Sequence, residues 1–242
     1  MVVRDEDGGV AHEEIPVISG NSLRGQFRDL LARDFLERLD VEIHDTLSNA
    51  LYSGGTLQKG TGGGKIKRRM IQNTRENIPM LSLLGTALGT QMIEGKLNMG
   101  MLVPIAAETE AYTGVESDES VFKYVDETYQ TRMDDREGGK MDGEDTQQMR
   151  YVFHVLKPGT ELRHWMSLEH CNEIEEAVLY RAFELFEQSP HIGGKRGAGY
   201  GKVRFEYEDG GLGSSDPYLD WLEDNLEDIR EFVLELDENL EG

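Results

Sequence analysis

Residues 19–28 read Ser19-Gly20-Asn21-Ser22-Leu23-Arg24-Gly25-Gln26-Phe27-Arg28, and they mark the point where an extended segment turns into a helix. The glycine permits a tight turn, and Asn21 or Ser22 can cap the helix by accepting a hydrogen bond from an early backbone N–H. Apolar residues then recur at helical spacing, which predicts a helix over residues 22–39. Because free N–H groups at a helix N-terminus attract phosphate, this stretch is the first candidate binding site.

The first turn of this helix carries Arg24, whose positive charge is disfavoured by the helix dipole. A bound phosphate would reverse that penalty. An ordinary capped helix with solvated arginines explains the same residues equally well, so physical chemistry alone leaves the two interpretations open.

The net charge of −22, from 25 basic and 47 acidic residues, argues against nucleic acid, whose binding proteins are usually basic. An acidic surface for a protein partner would explain the charge, and so would adaptation to high salt. We favour salt adaptation, the halophilic interpretation, because acids occur over most of the chain. Residues 205–242 nevertheless hold 14 acids and one base, and therefore supply −13 of the charge.

Three segments of this acidic chain contain no acid at all: residues 15–28, 46–75 and 188–205. About six acids would be expected in residues 46–75 at the average content of the chain. Repulsion between carboxylates and a polyanion would be a physical reason to keep these segments free of acids. Their basic residues are Arg24, Arg28, Lys59, Lys65, Lys67, Arg68, Arg69, Arg75, Lys195, Arg196, Lys202 and Arg204.

Residues 193–201 read GGKRGAGYG, and so many glycines let backbone N–H groups approach a phosphate chain closely. The spacing is not that of a dinucleotide-binding loop, and we predict that a strand over 202–207 follows where that loop requires a helix. A flexible surface loop is the alternative. The cations Lys195 and Arg196 and the missing acids favour RNA contact.

Residues 65–69 read Lys65-Ile66-Lys67-Arg68-Arg69 and follow a run of glycines. The run superficially resembles a phosphate-binding P-loop, but isoleucine stands where Ser or Thr should bind magnesium. We therefore exclude nucleotide hydrolysis and predict a basic patch that follows an RNA backbone, built from Lys65, Lys67, Arg68 and Arg69.

The order of the remaining elements predicts an α+β chain with a modified ferredoxin-like, RRM-like βαββαβ core over 1–208, followed by an acidic amphipathic C-terminal helix over 214–242. The polar residues 109–148 form an excursion from this core, either a flexible loop or a long hairpin. The other predicted elements are a hairpin within 1–20, a buried helix over 78–93 interrupted by Gly85 and Gly89, a strand over 97–107, a hairpin of strands 151–156 and 162–168, and a helix over 172–188 opened by a capping box of Asn172 and Glu175.

No residue pattern indicates catalysis. The six histidines lack metal-ligand spacing, and Cys171 is the one cysteine, so neither a disulfide nor a cysteine-based zinc site can form within the chain. We predict no catalytic residue, no metal and no cofactor. The N-terminus lacks the features of a signal peptide, and no apolar run approaches a membrane span, so we expect a soluble cytoplasmic protein with no membrane partner.

Residues 15–25 read IPVISGNSLRG and resemble the P-x-I-x-G-[SN]-[SA]-L-[RK]-G segment of the RAMP proteins of CRISPR systems. Residues 193–203 resemble the C-terminal glycine-rich loop of the same proteins. Three further stretches are most similar to the backbone subunit of type IV systems: Leu81-Ser82-Leu83-Leu84-Gly85, residues 94–97 and residues 147–151. The resemblance covers about residues 1–208.

This resemblance implies an RNA-recognition fold shaped like a hand, whose copies polymerise along a guide RNA while a protruding thumb kinks the RNA. It implies guide RNA, copies of the chain, other CRISPR effector subunits and a base-paired target nucleic acid as partners in antiviral defence. The thumb would be the 109–148 excursion, with Arg132, Met133 and Met149 as candidates. The implied RNA contacts are Asn21, Ser22, Arg24, Gly25, Gly193, Gly194, Lys195, Arg196 and Gly199.

Relatives carry a strand ahead of the proline segment, so we expect a longer form of the chain to exist. Type III relatives cut target RNA with an aspartate upstream of this segment, and since that region has no evident counterpart here, we predict no RNase activity. Two alternatives stay open. The chain could be an endoribonuclease that acts on guide or target RNA through His191, or an acidic protein-interaction module that does not bind RNA.

Overall fold

The structure, a computed structural model, describes residues 2–4, 10–12, 14–55, 68–89, 91–132, 149–207 and 213–241. It contains both helices and strands, which agrees with the predicted mixture. Contacts divide the chain into two compact units. Unit 1 comprises residues 1–18 and 101–164, and unit 2 comprises residues 19–100 and 165–242.

The helices and strands follow one another in a mixed order along the chain. In chain order they are β1 (Val2–Arg4), β2 (Val10–His12), α1 (Gly20–Leu39), α2 (Asp45–Tyr52), α3 (Arg68–Asn77), α4 (Pro79–Leu84), β3 (Thr86–Leu88), β4 (Gln91–Ile93), β5 (Leu97–Met99), β6 (Val103–Pro104), α5 (Glu110–Thr113), β7 (Val125–Arg132), β8 (Met149–Leu156), β9 (Leu162–Arg163), β10 (Met166–Leu168), α6 (Glu173–Glu187), α7 (Asp216–Asp224) and α8 (Leu226–Glu241).

The core of unit 2 is built around α1, which packs against α6, α2 and α4. Leu23, Phe27, Leu31 and Phe35 recur every fourth residue and are buried on one face, which confirms the predicted helix. The helix begins two residues earlier than predicted. Its cap is Ser19, not Asn21 or Ser22, because the extended Ser19 accepts a hydrogen bond from the Asn21 amide at 3.2 Å.

Helices α1 and α6 run antiparallel. The Phe27 ring meets the edges of Phe183 and Phe186, with centroids 4.8 and 5.8 Å apart, whereas farther along α1 Asp34 pairs with Arg181 at 2.6 Å. Residues farther along α1 therefore contact residues nearer the start of α6. The N-terminus of α1 and the C-terminus of α6 consequently lie at the same end of this pair.

The predicted interrupted helix over residues 78–93 is wrong beyond its first half. Helix α4 begins at Pro79 and ends at Leu84, because the next residue, Gly85, has a φ of 73° that an L-residue rarely adopts. The next residues form the antiparallel β3–β4 hairpin. A short apolar run has no period that separates a buried helix from a buried strand, which explains the error.

The capping box that opens α6 is confirmed. The Asn172 side chain accepts from the Glu175 amide, and the Glu175 carboxylate accepts from the Asn172 amide, both at 2.9 Å. The same carboxylate is buried against Lys96, whose ammonium lies 2.7 Å from both oxygens. Burial of Glu175 opposes its ionisation, but the hydrogen bonds from Lys96, Ser82 and Asn172 outweigh burial and hold its pKa below the ordinary value.

The C-terminal segment forms two helices where the sequence predicts one. Helix α7 starts at Asp216, with Pro217 in its first turn and Ser215 at the cap position. It ends at Asn225, after which α8 packs against α1 and α2. The buried Asp237 carboxylate of α8 accepts hydrogen bonds from the His44 backbone amide at 3.0 and 3.1 Å. The last helix therefore packs on its own chain.

Unit 1 contains the antiparallel pairs β1–β2, β6–β9 and β7–β8. The β1–β2 pair confirms the hairpin predicted near the N-terminus. The predicted hairpin of residues 151–156 with 162–168 is wrong, because β8 pairs with β7 over eight residues while β9 pairs with β6. His154 therefore lies opposite Glu127. Between β8 and β9, Gly159 has a φ of 85°, the left-handed conformation that a type II turn needs at its third residue.

The described strands pair two by two, and unit 2 contributes the ladders β3–β4 and β5–β10. The predicted strand over 97–107 is divided into β5 and β6. The predicted strand over 202–207 is reduced to one bridge between His191 and Lys202. A four-stranded ferredoxin-like sheet does not occur within the described ranges, so the ferredoxin-like core stays a prediction.

Candidate nucleic-acid interface

The start of α1 is pressed against the end of β5. A Cβ on Gly20 would lie 2.6 Å from the Met99 carbonyl oxygen and would clash with the Gly100 carbonyl, so only glycine fits there. The first turn of the helix holds no acid. Its N–H groups and positive dipole end therefore meet no carboxylate of their own turn.

Arg24 is half-buried beside β5, and its guanidinium donates a hydrogen bond to the Leu97 carbonyl. Its Nε is buried and has no hydrogen-bond partner among the described residues. Burial lowers the Arg24 pKa from its ordinary value because the charged form loses hydration. Part of this guanidinium therefore holds the fold together, and part of its donor capacity is unused.

Arg28, one turn farther along α1, is only 7% exposed. Its guanidinium donates to the carbonyls of Ala50, Leu84 and Gly85 at 3.3, 3.0 and 2.6 Å. Burial, with a smaller contribution from neighbouring Arg24, lowers its pKa to about 10. Arg28 thus fixes α2 and α4 to α1, and its donors point to carbonyls that an RNA phosphate would have to displace.

An open groove of about 670 Å³ runs beside the N-terminal half of α1, and Asn21, Arg24 and Gly25 line it. Its other wall is the β3–β4 hairpin. The groove adjoins the chain reversal between α4 and β3, where Gly85 lies against Gly95, and a Cβ on Gly85 would come within 2.7 Å of the Gly95 nitrogen. The groove's remaining lining residues are Arg28, Asp29, Tyr52, Ser53, Gly54, Leu84, Gly85, Thr86, Ala87, Met92, Ile93, Glu94 and Gly95.

The glycine-rich loop 193–201 follows the C-terminus of α6 and therefore begins at the same end of the helix pair as the N-terminus of α1. Its base is closed by hydrogen bonds from the Ile192 amide to the Gly201 carbonyl at 2.8 Å and from the Val203 amide to the Pro190 carbonyl at 2.9 Å. A Cβ on Gly201 would clash with the Ile192 carbonyl. This closure anchors an exposed loop on the core.

Within the loop, residues 196–198 form one turn of 3-10 helix, and Arg196 donates to the Ser189 hydroxyl. The positions Gly193, Gly194, Gly197 and Gly199 are exposed and have open space where a side chain would be. Since nothing packs against these glycines, a ligand can approach the backbone closely. The loop therefore combines accessible backbone with the cations Lys195 and Arg196.

The predicted basic patch is described only in part. Lys65 and Lys67 lie outside the described residues, and Arg68 and Arg69 begin α3, where Arg69 is exposed. The sequence pattern did not predict α3. Arg75, at the end of α3, donates to the Ser82 hydroxyl at 3.0 Å and to the Glu94 carbonyl at 2.8 Å, so it has a structural role.

The predicted thumb, residues 109–148, begins with α5, and its later part includes β7, which forms a two-stranded ribbon with β8 in unit 1. Arg132 and Met149 are its last described pair, and Met133 lies outside the described residues. Tyr129 and Tyr151 are 57% and 50% exposed on this ribbon. Neither tyrosine was a predicted contact: Tyr129 lies on β7, a strand that was not predicted, and Tyr151 lies at the start of a strand that was.

Two exposed side chains of unit 2 were also missed. Met92 on β4 is 71% exposed. Trp165 directly precedes β10, and its half-exposed indole covers Gly100, the residue that follows β5. Large apolar residues at the surface are a signal that only a correct strand assignment could have revealed. His191, the candidate base of a nuclease, has a buried Nδ1 without a hydrogen-bond partner among the described residues.

Comparison with known proteins places this geometry in a family. A family model of the RAMP superfamily matches residues 8–204, which is most of the chain. The chain belongs to the RAMP superfamily. The resemblance drawn from residues 15–25 and 193–203 is therefore confirmed, since both motifs lie within the matched region.

Among solved structures, this RAMP protein is similar to a chain of a "Type IV-B CRISPR Complex", with a TM-score of 0.58 and 20% sequence identity. The similarity covers 88% of this chain and 84% of that chain. At that identity it establishes a shared fold. A search of curated protein sequences finds no match. No described helix is long and apolar enough to cross a membrane.

Proposed function

We propose that this RAMP protein is a non-catalytic backbone subunit of a CRISPR effector complex, which binds guide RNA and polymerises along it. One observation carries the proposal: the two motif segments, 19–28 and 193–201, are far apart in sequence but begin at the same end of the antiparallel α1–α6 pair.

The glycine-rich loop is the main phosphate contact in this proposal. Its open glycines let N–H groups reach phosphate oxygens, and Lys195 and Arg196 add charge. The start of α1 adds Asn21, Ser22, Arg24 and Gly25 as further proposed contacts with the RNA strand. Arg28 is left out of the contact set because its donors already bind three carbonyls. We assign it the role of positioning α1.

The β7–β8 ribbon supplies the proposed thumb, with Arg132, Met133 and Met149 near its outer end. Exposed tyrosines on a ribbon are suited to contact unstacked bases or the next subunit. The ribbon residues Tyr129, Tyr151 and Val152, together with the exposed Phe122 of unit 1, are the proposed contacts between copies. Other effector subunits and a base-paired target complete the assembly, which we place in the cytoplasm.

A protein-interaction module without RNA is the second candidate, and the outer face of α8 favours it. Leu234 is 41% exposed there among acids. We rank this candidate lower because the two motifs that define the family match lie elsewhere in the chain.

Binding and assembly can be tested together. We expect the purified chain to bind single-stranded RNA by fluorescence anisotropy, and light scattering to show complexes that grow by whole chains of 27.3 kDa as the RNA is lengthened. We also expect binding to persist at high salt, where hydrogen bonds to loop N–H groups are lost less than charge attraction. RNA that shortens during incubation would favour the nuclease, and a folded chain that ignores RNA would favour the interaction module.

A further inference from the structure

The groove beside α1 has the size and chemistry of a ligand site that differs from the phosphate-binding loop. Its volume of about 670 Å³ falls within the range of pockets that hold small organic ligands, about 300 to 1,000 Å³. Close backbone contact between Gly85 and Gly95 at its edge, and the three carbonyl bonds of Arg28, hold its shape. A preformed groove of this kind requires little reorganisation on binding.

The charges that line the groove cancel one another. Arg24 and Arg28 are offset by Asp29 and Glu94, and the Arg28 guanidinium already binds carbonyls. A phosphate would therefore gain little here and would meet two carboxylates. A neutral group with both donors and acceptors on its edge fits such a lining better, because Asp29 can accept and the half-buried Arg24 guanidinium, which lines the groove, can donate.

The same groove has an apolar wall, part of which is exposed to solvent. Met92 is 71% exposed on β4, and Tyr52 at the end of α2 lines the groove as well. Thioether sulfur and aromatic rings both pack favourably on a flat ring. A flat ligand with a polar edge matches this combination.

We propose that the groove beside α1 is a nucleobase pocket, which takes one unstacked base of the bound RNA against Met92 and Tyr52, with Asp29 and Arg24 at the polar edge of the base. The pocket rests on the proposed RNA-binding function and deepens it. The glycine-rich loop holds the phosphates, and the groove holds a base whose backbone continues past the start of α1.

The test compares two ligands of equal length: a single-stranded RNA oligonucleotide, and a ribose-phosphate chain without bases. Met92→Ala should weaken binding of the RNA about fivefold and leave binding of the base-free chain unchanged. Met92→Leu should restore most of the RNA affinity because it restores the apolar surface. Met101→Ala is the matched control, since Met101 is another exposed methionine and lies in unit 1.

Folding of the Met92→Ala variant is checked by its melting temperature, which should equal that of the wild type because the side chain is exposed. Photo-crosslinking with 4-thiouridine RNA should attach a base to the peptide that carries Met92 or Tyr52. If the wild type binds RNA, but Met92→Ala weakens both ligands equally or neither, the pocket is overturned and the proposed function stands. If the wild type binds neither ligand, the proposed function fails as well.

Discussion

The two acid-free segments that carry the family motifs, residues 15–28 and 188–205, use their positive charges differently. In the first, Arg28 is buried and binds three backbone carbonyls, and Arg24 binds one. In the second, Arg196 is exposed in an open glycine-rich loop. The absence of acids therefore marks segments where positive charge is concentrated. Burial decides whether a cation in such a segment binds the protein's own backbone or stays exposed at the surface.

Arg28→Met should have the largest effect on stability. A small effect would contradict the structural role of the buried Arg28. It leaves the buried carbonyls of Leu84 and Gly85 without their donor, which we expect to lower the free energy of unfolding by about 4 kcal/mol. Urea unfolding measures this. Arg196→Met is the matched control and should leave the midpoint unchanged. Equal effects of the two substitutions would show that the buried and the exposed arginine do not differ in their contribution to stability.

Lys96→Met tests a second internal cation, the partner of Glu175 at the start of α6. It leaves the buried Glu175 carboxylate without its ion pair, and we expect a loss of about 3 kcal/mol near neutral pH. The folded-state pKa of Glu175 is depressed, so its stabilisation exists above the unfolded pKa and is lost as pH falls through the folded pKa. The gap between wild type and variant should therefore shrink below about pH 4.

Lys123→Met is the control for this prediction, because the Lys123–Glu119 pair is exposed and ion pairs of this kind add little stability. Its unfolding midpoint should match that of the wild type at both pH values. A gap for Lys96→Met that stays constant with pH would contradict the role of the ionised Glu175.

Two glycines of the loop should behave oppositely. Gly201 has a φ of 82° and a carbonyl in the way of any Cβ, so Gly201→Ala should lower the free energy of unfolding by about 2 kcal/mol. Gly197 has open space, so Gly197→Ala should melt like the wild type and yet weaken RNA binding, because the added methyl group keeps phosphate from the backbone. Wild-type RNA affinity for Gly197→Ala would argue against close backbone approach.

Neutralising the loop cations should change binding without changing folding. Replacing Lys195 and Arg196 together by glutamine should weaken RNA binding about tenfold and flatten the slope of log affinity against log salt by about 1.4. Fluorescence anisotropy at several salt concentrations measures both. An unchanged slope would mean that these cations do not contact phosphates.

The sequence allowed prediction of the elements that local chemistry determines. The four-residue spacing from Leu23 to Phe35 determines α1, and the reciprocal bonds of Asn172 and Glu175 determine the start of α6. The motif segments led to the family, which the match over residues 8–204 confirms. Their placement at one end of a helix pair could not be predicted, because it depends on contacts such as that of Phe27 with Phe186.

The wrong predictions concern residues whose role depends on contacts with residues far away in the sequence, which a local sequence pattern does not reveal. The partner of β8 is β7, whose acidic and polar residues gave no strand signal. The role of Arg28 depends on three carbonyls from residues 22 or more positions away, so its charge alone suggested an RNA contact. The exposed Met92 was assigned to a buried helix because an apolar run has no distinguishing period.

Sequencing the RNA that co-purifies with the chain and its operon neighbours in high salt tests the central claim most directly. We predict discrete CRISPR-derived guide RNA with the wild type, and its loss with Lys195→Glu combined with Arg196→Glu, a variant that should fold and assemble with the same protein partners. A folded and assembled wild-type complex without RNA would contradict the claim. So would guide RNA that is retained equally by the variant.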